Sequence, residues 1–438
     1  SSHLESRAIR YSGIFSGAVS AIIARGLTLA LSLLTVSLAL PYLGQERFGG
    51  WATISSIQLW FQLADIGLPA GMNNPLALAL SQSNYALARQ LVFSSLIAVL
   101  SASLLIFFVT TLLIYGFDAT SYINFTNDIN REEFRHTLVL AIGLTLAGIS
   151  NSVISKVLIV QQRGYLVNIW ISIGQILAIC GLFLSYKFKL NTIWLTLLTT
   201  GVVTASNLGN ILFFYLKETR FRCKSNDFNF AVLHKIWRVS FSYTSLQIAG
   251  MLLFNSATFI VASVLSPITA TLYAVTSRLT GLCSVTTQLI SPYYWAAYTD
   301  ALVRQDKLWM QKAFRRHLAI SIISVLIPCI VFAIFGNRLI NWWTKGLVIP
   351  SDSLIYWLLL WQVIVALMNP MGALLNAHES YKIQSISSIV AAFVGVFAAL
   401  LSANSFGVVG IAASITLAYM IFVTVPVFIQ IYKIIQYK

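Results

Sequence analysis

The sequence predicts an all-α polytopic membrane protein with 12 transmembrane helices arranged as two six-helix lobes. Three observations carry this. Charged residues make up 9% and hydrophobic residues 58% of the chain, and the mean hydropathy is +0.81, whereas soluble domains hold about 25% charged residues. The apolar runs last about 20 residues, the length at which a helix crosses roughly 30 Å of hydrocarbon. No series of alternating polar and apolar segments of the outer-membrane barrel type occurs.

Taken in order, the spans are expected at about 13 to 40, 49 to 69, 91 to 116, 136 to 160, 166 to 186, 191 to 216, 238 to 264, 268 to 296, 318 to 336, 352 to 376, 383 to 402 and 406 to 431. Their connections are short, so no separate soluble domain is expected. The first apolar run is long enough to be a membrane helix itself, which argues against a cleavable signal peptide. The longest connection divides the chain into an N-lobe (9 to 216), a linker (217 to 237) and a C-lobe (238 to 438). A weak repeat relates the halves. Sliding by 222 residues sets LGQERFGGWAT on LSPITATLYAV and NPLALALSQSNYALARQ on AAYTDALVRQDKLWMQK. An even number of spans per half makes this a parallel repeat, a layout known among secondary transporters.

Loop charge sets orientation. With the N-terminus cytoplasmic, eighteen of the 28 Lys and Arg fall in cytoplasmic segments and seven on the other side, the bias that membrane insertion imposes. Both termini are therefore expected in the cytoplasm. The net charge of +15 is thus a topology signal, and nucleic acid is not expected as a partner. Two amphipathic segments, ALALSQSNYALARQLV and ALVRQDKLWMQKAFRRHL, are expected to lie as helices on the cytoplasmic leaflet, where Arg304, Lys307, Lys312, Arg315 and Arg316 would meet acidic headgroups.

No enzyme chemistry is legible. The four cysteines are scattered, with no CxxC, and the five histidines form no cluster. No DxD, general acid and base pair, phosphate-binding Gly loop or metal site is present, and no cofactor is expected.

Function is carried by polar residues inside the spans. Arg25, Thr28, Ser32 and Thr35 share one face of the first span, and Ser55, Gln58, Gln62 and Asp65 one face of the second. Thr244, Gln247, Asn255 and Thr258 mark the seventh, and Ser277, Thr280, Ser284, Thr287 and Ser291 the eighth, with Arg278 beside that stripe. Such groups are costly against lipid, so these faces are expected to line a cavity. The bland alternative is that each hydroxyl bonds its own backbone or a neighbouring helix. A charge at the bilayer centre costs about 2.5 to 3.5 kcal/mol on insertion scales. Asp65 is the sole acid well inside a span, and it is expected to pair with Arg25, either as a structural ion pair or as a proton-carrying one. Arg278 is left without an acid, and Lys156 either snorkels or joins the site. The candidate substrate-binding set is Arg25, Arg278, Asp65, Lys156, Gln58, Gln62, Asn73, Asn74, Gln247 and Asn255. An excess of fixed cations favours a phosphorylated or acidic cargo, which guanidinium grips in bidentate fashion.

YLGQERFGGW, the apolar run that leads from it to LADIGLPAGMNNPLALA, and the short amphipathic segment after it together resemble the N-terminal signature of the polysaccharide transporter family. These are the Wzx-type flippases of the multidrug/oligosaccharidyl-lipid/polysaccharide superfamily. The sharp agreement covers about residues 40 to 80. The resemblance implies two six-helix bundles around a cationic lumen, working by alternating access in a bacterial inner membrane. The implied cargo is an undecaprenyl-pyrophosphate-linked oligosaccharide, an O-antigen or surface polysaccharide repeat unit. Polysaccharide polymerase and chain-length machinery are the implied partners, with H+ or Na+ as coupling ion. The family's intramembrane cations would map onto Arg25 and Arg278, with Asp65 the acid of the N-lobe. Drug-exporting relatives usually carry more acids in their spans than this chain offers. An ion-coupled multidrug or organic-ion exporter is the rival on the same fold, and a membrane glycan polymerase or ligase is the rival from another class.

Overall fold

The computed structural model describes residues 2–118, 123, 125, 126, 128–222, 227–237, 240, 244, 248, 251, 255–303, 305–378 and 380–436; the side chains of 2–18, 292, 293, 296, 299, 300, 303, 381, 382, 435 and 436 lie outside that description. Among the described residues every regular element is helical. Eight helical runs are long and apolar enough to cross a membrane.

Two of these runs are double-length: Val19–Ser81 has 63 residues and Ile383–Ile434 has 52. A straight helix of 60 residues would be roughly 90 Å long, about three bilayer cores. Glycine resolves both cases. The helix Ser2–Phe61 is interrupted at Gly44 (φ 78, ψ 168), three residues after Pro41, and the helix Tyr381–Tyr419 at Gly407 (φ 59, ψ −144). These backbone conformations are open to glycine without the strain a Cβ would bring. They separate the spans expected at 13 to 40 and 49 to 69, and those expected near 383 to 402 and 406 to 431.

The eighth expected span is helical as Pro267–Gly281, a 3-10 turn Leu282–Ser284, and Val285–Val303. Ser266 caps it by accepting from the Thr269 amide at 3.2 Å, with Pro267 in the first turn. It is absent from the eight because its Ser and Thr stripe lowers its hydropathy. Of the span expected at 238 to 264, the continuous described part is Ser256–Val264. The two amphipathic segments are not separate surface helices. The first breaks at Gln82–Asn84, where Asn84 caps the helix Tyr85–Gly116. The second breaks at Gln305 (φ 59), where Asp306 caps the helix Lys307–Trp343 and carries its basic residues straight into the next span.

The chain sorts into two compact units. The first comprises Ser1–Leu43, Ile57–Ser121 and Thr126–Ile248, and the second Gly44–Ser56, Tyr122–Phe125 and Ala249–Lys438. The connection expected at 217–237 packs into the first unit. There Arg89 lies 3.4 Å from Asp227, Arg163 pairs with Glu218, and Arg220 donates to the Tyr85 hydroxyl at 2.8 Å. The segment Gly44–Ser56 belongs to the second unit. A Cβ on Gly49 would stand 1.7 Å from the Pro267 carbonyl oxygen, so only glycine lets the two backbones approach this closely. The Thr271 hydroxyl donates to the Gln45 carbonyl, and the Gln45 amide to that of Leu347.

Candidate functional site

In the first unit the site is built where the second span ends. The 3-10 turn Gln62–Asp65 runs into Ile66 (φ 53) and Gly67 (φ 63), and Pro69 starts the short helix Leu68–Gly71. Glycine is required at 67 for a second reason: a Cβ there would lie 2.6 Å from the Ser240 carbonyl oxygen and 2.7 Å from the Thr244 hydroxyl. The turn points the Asp65 carboxylate back on its own chain, where Oδ1 accepts the Gly67 amide at 2.9 Å. Lys156 is the opposite charge within electrostatic reach of that carboxylate, without an ion-pair contact to it. Ser152, one turn before Lys156 on the helix Asn151–Val160, faces the same carboxylate.

This overturns the expected pairing of Asp65 with Arg25. Arg25 is exposed and forms no ion pair among the described residues; a Cβ on its neighbour Gly26 would meet nothing within 4 Å. Lys156 is the cation whose charge reaches Asp65, where Arg25 was expected. Gln58 is no free cavity group. Its amide donates to the Ala141 carbonyl at 3.3 Å, Thr145 at 3.1 Å and Thr200 at 3.4 Å, bracketing helices of the first unit. Gln62 is exposed, while Asn73 donates to Asn74 at 3.1 Å in the first turn of Asn73–Ser81. Asn255 precedes the helix Ser256–Val264 without capping it through its side chain. Gln247 lies outside the described residues.

The hydroxyl stripes follow the bland alternative. Thr28, Thr35, Ser55, Thr244, Thr280 and Ser291 each donate to a carbonyl four residues earlier, and Ser277 and Thr287 to one three residues earlier, while Ser284 donates to Gln362 on a neighbouring helix at 2.6 Å. The helix places that carbonyl within reach of a short hydroxyl, and Ser284, Thr287 and Ser291 also bond side chains of neighbouring helices.

Arg278, in the second unit, is different. It sits in the last turn of Pro267–Gly281, with its guanidinium carbon 5.9 Å from the Phe48 ring centroid and 5.8 Å from that of Trp51. Phe48 and Trp51 lie one turn apart in the segment Gly44–Ser56, their ring centroids separated by 6.0 Å. The guanidinium Nη1 is buried and donates no hydrogen bond, and no carboxylate pairs with Arg278 among the described residues. Aromatic faces hold a guanidinium in place and leave its in-plane donors open. The result is a preset cation with an empty donor, which suits an anionic oxygen.

No family model matches the chain, and no curated protein does. Solved structures match over nearly its full length. A multidrug resistance MATE family transporter of the MOP superfamily, in its inward-facing conformation, is 14% identical with a TM-score of 0.79, covering 94% of this chain and 98% of the other. Its outward-facing conformation gives 14% and 0.69, with coverage of 96% and 95%. The chain has the MATE fold. A third structure, a MOP superfamily transporter from Pyrococcus furiosus whose binding pocket is described as of reverse polarity, suggesting a different function, gives 14% identity and 0.68 over 97% and 96%.

Within the MATE fold of this chain, three residues of the site escaped the sequence reading. Phe48 and Trp51 stand three apart in YLGQERFGGW, the spacing that puts two rings on one helix face; that spacing was the available signal. Ser152 and Lys156 stand four apart, a signal of the same kind.

Proposed function

We propose that the protein is a membrane transporter of the MOP type whose cargo is an undecaprenyl-pyrophosphate-linked oligosaccharide, moved from the cytoplasmic to the periplasmic leaflet of a bacterial inner membrane. The observation that supports it is Arg278: a guanidinium on two aromatic rings, with a buried donor and no acid beside it among the described residues. A transporter of cations would gain nothing from such a group, whereas a pyrophosphate supplies the missing acceptors. The resemblance of YLGQERFGGW and LADIGLPAGMNNPLALA to the polysaccharide transporters points the same way. The twelve-span plan, cytoplasmic termini and absence of catalysis belong to the same reading. Asp65 with Lys156 is the charge pair of the first unit, and H+ is the coupling ion that a carboxylate paired with an ammonium would serve.

A second reading is favoured by the likeness to transporters described as multidrug resistance proteins: export of free organic ions. One experiment separates the two. The chain and its Arg278→Ala variant are expressed in a strain lacking its own O-unit flippase and in a strain lacking its drug exporters. Restored surface polysaccharide, lost in the variant, supports the flippase. Drug resistance without restored polysaccharide supports the exporter and overturns the first reading.

A further inference from the structure

His317 in the second unit is a fully buried imidazole on the helix Lys307–Trp343. Its Nε2 lies 3.2 Å from the Ser291 hydroxyl and its Nδ1 3.1 Å from the Tyr298 hydroxyl, both on the facing helix Val285–Val303. The ring stacks on Tyr294, with centroids 4.0 Å apart and planes 8° from parallel. Tyr298 is itself fully buried.

Counting protons assigns the tautomer. Ser291 carries one hydroxyl hydrogen, and it is donated to the Thr287 carbonyl at 2.8 Å. The Ser291 oxygen can therefore only accept, so Nε2 carries the ring hydrogen. Nδ1 is then the lone-pair nitrogen, and the Tyr298 hydroxyl donates to it. The set is complete only while the ring is neutral. A second ring proton would make Nδ1 a donor facing a donor, and Tyr298 would have to turn or leave. The Tyr294 face beneath the ring would hold the resulting cation. One turn further, the buried Ser321 hydroxyl has no hydrogen bond, an open acceptor in an otherwise saturated neighbourhood.

We propose that His317 is a proton-binding site of the second unit, and that filling it releases Tyr298 and loosens the helix Val285–Val303. Among the described side chains of that helix the titratable groups facing the ring are Tyr294 and Tyr298; the side chains of Tyr293 and Asp300 lie outside the described residues. The other elements packed on Lys307–Trp343 turn their ionisable groups elsewhere. Arg278 of Pro267–Gly281 lies on Phe48 and Trp51, Cys283 of Leu282–Ser284 meets Cys329, and Asp352 of Asp352–Ala377 accepts from Asn337. On the histidine's own helix Lys307, Lys312, Arg315 and Arg316 are exposed. The hold on Tyr298 is therefore present when the ring is neutral and is lost as pH falls through its titration. The inference rests on the ring's own bonds and is independent of what the protein carries.

The test uses the full chain in detergent micelles. In a sample with 15N-labelled histidine, the signal missing from His317→Gln is expected to show the Nε2–H tautomer at pH 8 and a doubly protonated ring at low pH. Amide hydrogen exchange over residues 291–303 is expected to rise at least tenfold between pH 8 and pH 4, after correction for intrinsic rates. Tyr298→Phe is expected to exchange at the acid level at both pH values, and His317→Gln to lose the pH dependence. An Nδ1–H tautomer, a ring that stays neutral to pH 4, or exchange that follows pH equally in His317→Gln would each overturn the proposal.

Discussion

Asp65 lies within the electrostatic reach of Lys156, while Arg25 is exposed and forms no ion pair among the described residues, although Arg25 and Asp65 are the two charges that stand out in the first pair of spans. The carboxylate also holds the Gly67 amide at 2.9 Å, so one group joins a backbone turn to a neighbouring helix.

The pairing predicts a coupling between two substitutions. Both groups are partly exposed, so solvent screening limits their interaction to about 1 kcal/mol. In thermal unfolding of the detergent-solubilised protein, Asp65→Asn and Lys156→Met should each destabilise, and the double variant should be less destabilised than their sum. The same cycle between Asp65→Asn and Arg25→Met should be additive. Coupling to Arg25 and none to Lys156 would contradict the assignment.

Glycine positions make a sharper contrast. Gly49→Ala forces a methyl into the Pro267 carbonyl, and Gly67→Ala adds a positive-φ strain to a clash with the Ser240 backbone. Each should cost more than about 2 kcal/mol or abolish folded yield, since backbone cannot give way as a flexible side chain can. Gly26→Ala meets open space in an ordinary helix and should stabilise by roughly 0.5 to 1 kcal/mol. Equal unfolding midpoints for Gly26→Ala and Gly49→Ala would refute the close approach.

Gln58 should behave as a structural bracket. Gln58→Met removes the donor shared by Ala141, Thr145 and Thr200 and should lower stability by about 1 to 2 kcal/mol. Cargo preference should not change. A variant of normal stability whose transport preference shifts would return Gln58 to the binding set.

Much of the fold was legible because hydrophobicity and helix length act locally. A chain with so few charges must place its apolar runs across a bilayer, and the runs of 63 and 52 residues had to be broken, which the glycines at 44 and 407 do. The site was less legible because its partners come from different helices. Periodicity put Arg25 and Asp65 on polar faces but said nothing of which helix packs beside the turn at Gly67; that neighbour brought Lys156. The Ser and Thr stripes were hard to read for the opposite reason, since many of their partners are carbonyls three or four residues away on the same helix, while Ser284, Thr287 and Ser291 also reach neighbouring helices. Arg278 was singled out as a cation without an acid, and no carboxylate pairs with it among the described residues. Its aromatic platform depends on Gly49 admitting the segment Gly44–Ser56 onto Pro267, a fact of packing that no stretch of sequence states alone.

Arg278 also provides the most direct test of the proposed function. Binding of undecaprenyl pyrophosphate to the purified full chain in detergent can be followed by calorimetry, with the neutral alcohol undecaprenol as control. The wild-type protein should prefer the pyrophosphate. Arg278→Ala should weaken binding at least tenfold, about 1.4 kcal/mol, and Arg278→Lys should retain part of it, since an ammonium keeps the charge without the guanidinium's planar fork. Unchanged affinity in a well-folded Arg278→Ala protein, or equal binding of the alcohol and the pyrophosphate, would contradict an anion-accepting role for this residue.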